Sequence, residues 1–67
     1  MFEKRLFADK VKQMNMTLWG VAADAGMSYT TLYRKMNGTS DFTRGEVQRL
    51  RKIMRLNAAE TEMIFFA

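Results

Sequence analysis

The side chains best suited to chemistry in this sequence are hydroxyls and guanidinium groups, and they are concentrated in one stretch. Tyr29, Thr30, Thr31 and Arg34 lie close together, and further hydroxyl and basic side chains continue to Arg44. Such groups donate hydrogen bonds to phosphate oxygens and to the edges of bases. The chemistry that this pattern favours is therefore non-covalent recognition of an anionic, hydrogen-bonding partner.

Groups for catalysis and metal binding are scarce. The 67 residues contain no histidine and no cysteine, and the seven carboxylates include no pair in a glycine-rich or cleft-like setting. General-base catalysis, thiolate chemistry and the commonest metal ligation therefore lack their usual residues. We expect no enzyme, no catalytic residue, no metal site and no cofactor. The absence of cysteine also fits a reducing, cytoplasmic compartment.

The basic charge is uneven along the chain. Residues 34–55 hold seven basic against two acidic side chains, a sum of +5, whereas the whole chain carries +4. A localised basic segment on a small domain is typical of nucleic-acid binding, although a solvated helix face, an anionic membrane or an acidic protein would also fit.

The longest uncharged run, residues 13–23, is too short and mixed to span a bilayer, and the charges at residues 3–5 disfavour a signal peptide. We expect no membrane partner.

Helix formers and cap residues predict five short helices and no strand in one domain that covers residues 1–67. Glycine and asparagine stand where helices should end, and Ser or Thr stands where they should begin. Apolar residues repeat at helical spacing within each predicted helix. The predicted helices cover about residues 2–14, 18–25 and 29–36, then a fourth beginning after Thr43 and a last turn or two after Asn57.

Residues 17–38 have the spacing of a helix-turn-helix. Thr17 and Ser28 are plausible N-caps of two short helices, and Gly26 between them permits a sharp turn. The small side chains of Ala22 and Ala25 allow the two helices to approach closely. A plain helical hairpin within a bundle would show similar spacing, so both interpretations stand on these residues alone.

Three stretches carry a wider pattern: residues 21–28 across the turn, residues 32–38 after it, and residues 40–43 leading into Glu46. With them the sequence resembles, over nearly its whole length, the lambda-repressor-like helix-turn-helix domains of the Cro and C-repressor type. Residues 40–43 and the apolar ending at 64–66 are most similar to small phage Cro-like regulators. The resemblance implies an all-α bundle of five short helices in which the second and third form the motif.

The resemblance also implies that the helix after Ser28 lies in the DNA major groove. Tyr29, Thr30, Thr31 and Arg34 match its base-facing positions, and Arg34 could donate two hydrogen bonds to one guanine. Tyr29 could instead contact a phosphate or a sugar, and an asparagine before Gly38 would also serve simply to end the helix. The residues expected to contact phosphates are Thr17, Ser28, Asn37, Thr39, Ser40, Thr43 and Arg44.

Two positions depart from the family pattern. Leu18 stands where relatives usually have a glutamine that binds a phosphate, so that contact is lost. Lys35 stands where relatives mostly have an apolar residue, and we expect its ammonium group near the DNA backbone or solvent. We expect Trp19 to pack with a partly exposed ring.

The apolar residues near position 64 could form a contact between two copies of the chain. With α-helical spacing, Met63 and Phe66 are expected to fold back on the core, which leaves Ile64 and Phe65 as possible dimer contacts. One domain of this size makes few base contacts, so we expect a weak homodimer, or a dimer formed on DNA, at a pseudo-palindromic operator.

The sequence therefore predicts a DNA-binding transcriptional regulator of the phage or prophage repressor type. Its partner would be a double-stranded DNA operator, with no small-molecule substrate and no cofactor. The alternative from another class is a protein-interaction module or antirepressor on the same helical scaffold. Such a protein would bind no duplex at physiological salt.

Overall fold

The computed structural model describes residues 1–66, and that part of the chain is all-helical with no strand. The prediction of an all-α fold with five helices is confirmed. After α5 the chain continues into a single π-helical turn, which we call the π turn. The elements are α1 (Lys4–Gln13), α2 (Leu18–Asp24), α3 (Tyr29–Met36), α4 (Arg44–Ile53), α5 (Ala58–Thr61) and the π turn (Glu62–Phe66).

Side-chain caps fix where α2 to α5 begin. In each case the oxygen of the N-cap side chain accepts a hydrogen bond from the backbone N–H three residues later, which satisfies a donor that has no partner inside the helix. Two of these caps are reciprocal capping boxes, because the glutamate at the third helical position accepts from the backbone of the cap residue. The caps are Thr17, Ser28, Thr43 paired with Glu46, and Asn57 paired with Glu60.

The first four helices all end in the same left-handed motif. The residue after each C-cap has a positive φ: 56° at Asn15, 75° at Gly26, 81° at Gly38 and 52° at Arg55. In every case its N–H and the next N–H donate back to carbonyls of the last turn, the arrangement of a Schellman motif. Glycine adopts this conformation without steric cost, whereas Arg55 adopts it against the preference of an L-residue.

Small side chains bring α2 and α3 together over the core. Ala22 and Ala25 are buried on α2, beside the fully buried Val21, and face the fully buried Leu32 of α3 within one cluster. Met27, in the turn, packs against the same cluster. The side of α3 opposite Leu32 is directed away from this core, since Thr30 and Arg34 are exposed there.

Four phenylalanines from distant parts of the chain form an aromatic cluster: Phe2, Phe7, Phe42 and Phe65. The ring centroid of Phe2 lies 4.9 Å from that of Phe42 and 5.4 Å from those of Phe7 and Phe65. Beside the cluster, the backbone N–H of Glu3 donates to the Ile64 carbonyl at 2.7 Å. The segment before α1 is therefore joined to the π turn, and α1 begins at Lys4, two residues later than the apolar pattern predicts.

The predicted orientation of the apolar residues in the π turn is wrong. Ile64 and Phe65 are 4% and 7% exposed, whereas Met63 and Phe66 are 53% and 59% exposed. The predicted pairing of Met63 with Phe66 and of Ile64 with Phe65 is observed, but the buried pair is the opposite of the predicted one. Phe65 is drawn inward because the aromatic cluster surrounds its ring.

Candidate nucleic-acid interface

The outward side of α3 carries one polar and one basic side chain in register. Leu32 and Met36 are buried on the inner side, and Thr30 and Arg34 are exposed one turn apart on the opposite side. The Arg34 side chain forms no hydrogen bond within residues 1–66, so its guanidinium donors are available. No acidic residue occurs in α3. This side of the helix therefore presents donors and a positive charge to whatever lies against it.

The hydroxyls of Ser28 and Thr31 are engaged with each other. Ser28 Oγ accepts from the Thr31 N–H at 3.1 Å and donates its own proton to Thr31 Oγ1 at 2.9 Å. Thr31 is half-buried, whereas Thr30 is exposed. Of the two threonines predicted to face bases, only Thr30 has a hydroxyl free of the helix cap, and Ser28 could donate to a phosphate only after giving up its bond to Thr31.

An aromatic stack links the beginnings of α2 and α3. The Trp19 and Tyr29 rings lie 4.4 Å apart at an interplanar angle of 10°, and Tyr33 stacks on Tyr29 with centroids 6.0 Å apart. Trp19 is 69% exposed, so most of its surface faces solvent. Tyr29, predicted to face bases, is half-buried between the two other rings. We call Trp19, Tyr29 and Tyr33 the aromatic stack.

Lys4 joins the other end of α3 to α1. Its Nζ donates to Asn37 Oδ1 at 2.7 Å and lies 5.3 Å from the centroid of the Tyr33 ring. The Asn37 amide nitrogen keeps its protons for a further acceptor, so a cation and an amide donor stand together at the end of α3. The sequence analysis did not identify Lys4 and favoured packing over a role at the edge of the groove for Trp19, because neither residue has a local signal that connects it with α3.

The remaining residues predicted to contact phosphates are all exposed. Thr17 Oγ1 accepts from the Gly20 N–H at 3.0 Å, which leaves the threonine hydroxyl proton available. Thr39 and Ser40 are exposed in the loop between α3 and α4, where the Thr39 N–H donates to the Arg34 carbonyl. Thr43 and Arg44 are exposed at the beginning of α4.

Lys35 does not lie where the sequence predicts. Its Nζ forms an ion pair with Glu46 Oε1 at 2.7 Å and donates to the Asp41 carbonyl at 3.0 Å, and its side chain is only 11% exposed. Two partners within reach hold the ammonium group inside the protein, which is why it is neither at the solvent nor free for DNA. The pair connects α3 with the first turn of α4 and fixes the loop between them.

The environment of Glu46 follows from this pair. Burial alone would raise the pKa of Glu46, but hydrogen bonds from Lys35 and from the Thr43 backbone, with the lysine charge, outweigh it and hold the pKa below its ordinary value of 4.5. The same carboxylate therefore closes the capping box of α4 and neutralises Lys35. It adds no free negative charge near Arg44.

The other basic residues of α4 have different surroundings. Arg49 Nε donates to the Ala25 carbonyl at 3.1 Å, which joins α4 to the end of α2. Arg51, Lys52 and Arg55 are exposed around an open groove at the far end of α4, and none of them forms an ion pair within residues 1–66. These cations add to the positive electrostatic potential of the protein but do not belong to the surface around α3.

Residues 1–66 contain no group of three acidic, histidine or cysteine side chains placed to hold a metal ion. No helix in this part of the chain has both the length and the apolar character that crossing a membrane requires.

Comparisons of the chain with protein families, with curated proteins and with solved structures give no match.

Proposed function

We propose that this protein is a sequence-specific DNA-binding transcriptional regulator of the lambda-repressor-like type. In this proposal α2 and α3 form a helix-turn-helix, and α3 enters the major groove. The observation that carries the proposal is the outward side of α3, where Thr30 and Arg34 are exposed one turn apart on a helix without acidic residues. A polyanion with base edges fits that side better than an acidic or apolar partner does.

The cross-section of a helix suits the groove. With its side chains an α-helix such as α3 is about 10–12 Å across, and the major groove of B-DNA is about 12 Å wide. Arg34 is positioned to donate two hydrogen bonds to the O6 and N7 of a guanine. Thr30 offers a hydroxyl and a methyl group, and the methyl group suits contact with a thymine methyl.

Donors for phosphates lie at the beginning of α2 and at the end of α3. The Thr17 hydroxyl caps α2, and the Lys4 ammonium group and the Asn37 amide lie at the end of α3. The loop and the first turn of α4 add the exposed Thr39 and Arg44. Contacts to the two backbones on either side of the groove would fix the register of α3 without reading sequence.

A single domain offers two clear base-reading side chains, which is too few for an operator. Two copies on a pseudo-palindrome, with half-sites about 34 Å apart, would double the contacts. Because Ile64 and Phe65 are buried, the side chains of the π turn that could join two copies are the exposed Met63 and Phe66. A small regulator of this kind would act as a phage or prophage repressor or Cro-like switch, in the cytoplasm, and without chemistry.

The same exposed residues support the alternative. Met63 and Phe66 are more than half exposed, so both are available for contact with another protein. A protein-interaction module or antirepressor would use them to bind another protein and would leave α3 unoccupied. Duplex binding separates the two proposals.

The test is binding to random duplex DNA, followed by selection of bound sites from a random pool. We expect binding that weakens as salt rises, and an enriched, two-fold symmetric sequence. Arg34→Glu and Arg51→Glu change the net charge equally, but only Arg34 lies on the outward side of α3. Arg34→Glu should abolish selection, whereas Arg51→Glu should weaken binding only slightly. Equal losses, or no duplex binding by the unaltered protein, would contradict the proposal.

A further inference from the structure

The aromatic stack has an unusual distribution of burial. Trp19 is the single tryptophan of the chain, and it stays 69% exposed while one face of its ring covers Tyr29. A tryptophan in the core has most of its side chain buried, because it stabilises a fold mainly through the apolar area that it removes from water. The principal contact made by Trp19 is the one to Tyr29.

That contact restricts the Tyr29 ring, and the Tyr33 ring restricts it further. The nearly parallel Trp19 ring is 4.4 Å away and the Tyr33 ring is 6.0 Å away. Lys4 of α1 lies against the Tyr33 ring, 5.3 Å from its centroid. The Tyr29 ring thus contacts Trp19 of α2 and Tyr33 of its own helix before any partner arrives.

Tyr29 is also the first residue of α3. A side chain at the beginning of a helix that enters the major groove lies next to the DNA backbone or the first bases. An unrestrained tyrosine would lose side-chain freedom on binding, and that loss weakens affinity. A tyrosine already fixed by stacking meets the duplex with its hydroxyl in place.

We propose that Trp19 is a positioning residue for duplex recognition, which holds the Tyr29 ring so that its hydroxyl donates to the DNA without further ordering. The proposal rests on the proposed function. Trp19 acts through Tyr29 and not through a contact of its own. Its effect on binding therefore depends on the presence of the Tyr29 hydroxyl.

A double-mutant cycle tests this dependence. Tyr29→Phe keeps the ring and the stack but removes the hydroxyl, and Trp19→Ala removes the ring that restrains Tyr29. On a duplex selected by the unaltered protein, Trp19→Ala should raise Kd about threefold to tenfold, the range that an aromatic pair of typical strength corresponds to. In the Tyr29→Phe background the same change should raise Kd less than about twofold. Trp19→Phe, which keeps a flat ring, should restore most of the affinity.

The free protein provides a second readout. Stacking on Trp19 should shift the Tyr29 ring protons upfield in the NMR spectrum, and Trp19→Ala should remove that shift while the circular dichroism spectrum, recorded well below the thermal midpoint, keeps its helical shape. An equal rise in Kd in both backgrounds would overturn the proposal, because Trp19 would then contact DNA directly or act on the fold. An absent ring shift would overturn it as well. If the unaltered protein binds no duplex, the proposed function fails together with this inference, whatever the ring shift.

Discussion

Lys35 and Glu46 form an ion pair that holds α4 against the end of α3. The Lys35 Nζ lies 2.7 Å from Glu46 Oε1, and both side chains are largely buried. The same carboxylate oxygen accepts from the Thr43 N–H at 2.8 Å. One glutamate therefore determines both the start of α4 and the path of the loop that carries Thr39 and Ser40.

Acidification should weaken the fold through this pair. Because the pKa of Glu46 is lowered on folding, its contribution to the free energy of unfolding is present above about pH 4.5 and is lost as pH falls through the lower folded value. Glu46→Gln should lower the thermal midpoint at pH 7 and should show a smaller further decrease between pH 7 and pH 3 than the unaltered protein. Glu62→Gln removes the same charge outside any ion pair and serves as the control. Identical pH profiles for all three proteins would contradict this role.

Arg34→Ala should reduce sequence preference more than stability. Arg34 is exposed and forms no side-chain hydrogen bond within residues 1–66, so its loss leaves the core intact. A guanidinium that reads one guanine contributes about 1–3 kcal/mol of discrimination. Titration of preferred and scrambled duplexes measures the ratio of affinities, with Arg51→Ala as a variant of equal charge at the far end of α4. An unchanged ratio in Arg34→Ala would show that Arg34 does not read a base.

Arg44→Ala should weaken binding to every duplex by the same factor. Arg44 is exposed at the first position of α4, where it is expected to neutralise one phosphate. The slope of log K against log salt concentration should then become shallower by about 0.9 for each bound copy. A loss confined to one operator sequence would instead assign base or shape reading to Arg44.

Phe65 and Phe66 are adjacent but should differ sharply in their effect on stability. Phe65 is buried in the aromatic cluster and Phe66 is 59% exposed. Phe65→Ala should lower the free energy of unfolding by about 3–5 kcal/mol, a large part of what a domain of this size has, whereas Phe66→Ala should change it by less than about 0.5 kcal/mol. Urea denaturation measures both.

The same two positions test self-association. If two copies meet through the exposed side of the π turn, Phe66→Ser should weaken association in sedimentation experiments while the thermal midpoint stays unchanged. Unaltered association in Phe66→Ser and in Met63→Ser would place the contact between copies elsewhere.

Arg55→Gly should stabilise the protein. Arg55 adopts a φ of 52° at the end of α4, and a left-handed conformation costs an L-residue about 1–2 kcal/mol. Glycine avoids that cost but gains freedom in the unfolded chain, so a net increase of about 0.5–1 kcal/mol is expected. Gly26→Ala is the reverse experiment. It should destabilise the protein, because alanine carries a Cβ and would have to adopt the left-handed φ of 75°. Equal midpoints for the Arg55→Gly and unaltered proteins would show that the strain is relieved elsewhere.

Local signals explain why most helix boundaries could be predicted. Ser28 and Gly26 act on the backbone within a few residues, and their effects are the same in any protein that contains them. The Lys35–Glu46 pair and the Lys4–Asn37 bond depend on which helices meet, and no short stretch of sequence contains that information. For this reason the outward side of α3 was predictable, while the surroundings of Lys35 and the role of Lys4 were not.

The π turn also combines a feature that local sequence predicts with one that depends on distant residues. The apolar character of its residues predicted that some must be covered, and the spacing paired Met63 with Phe66 and Ile64 with Phe65, as observed. Which pair is buried depends on the aromatic cluster, whose members Phe2 and Phe42 are far from Phe65 in the sequence. The spacing within the turn therefore could not identify the buried pair.

The hydrogen bond from Glu3 to Ile64 has a consequence for how the domain opens. It lies outside the helices and closes a loop that contains nearly the whole described chain, so its formation has a high entropy cost and should come late in folding. Amide protons just before a first helix usually exchange with solvent quickly, because chain ends fray independently. Here the Glu3 amide can exchange only when the π turn separates from it. The two ends of the described chain should therefore behave as one cooperative unit, with the Glu3 amide as its slow-exchanging reporter.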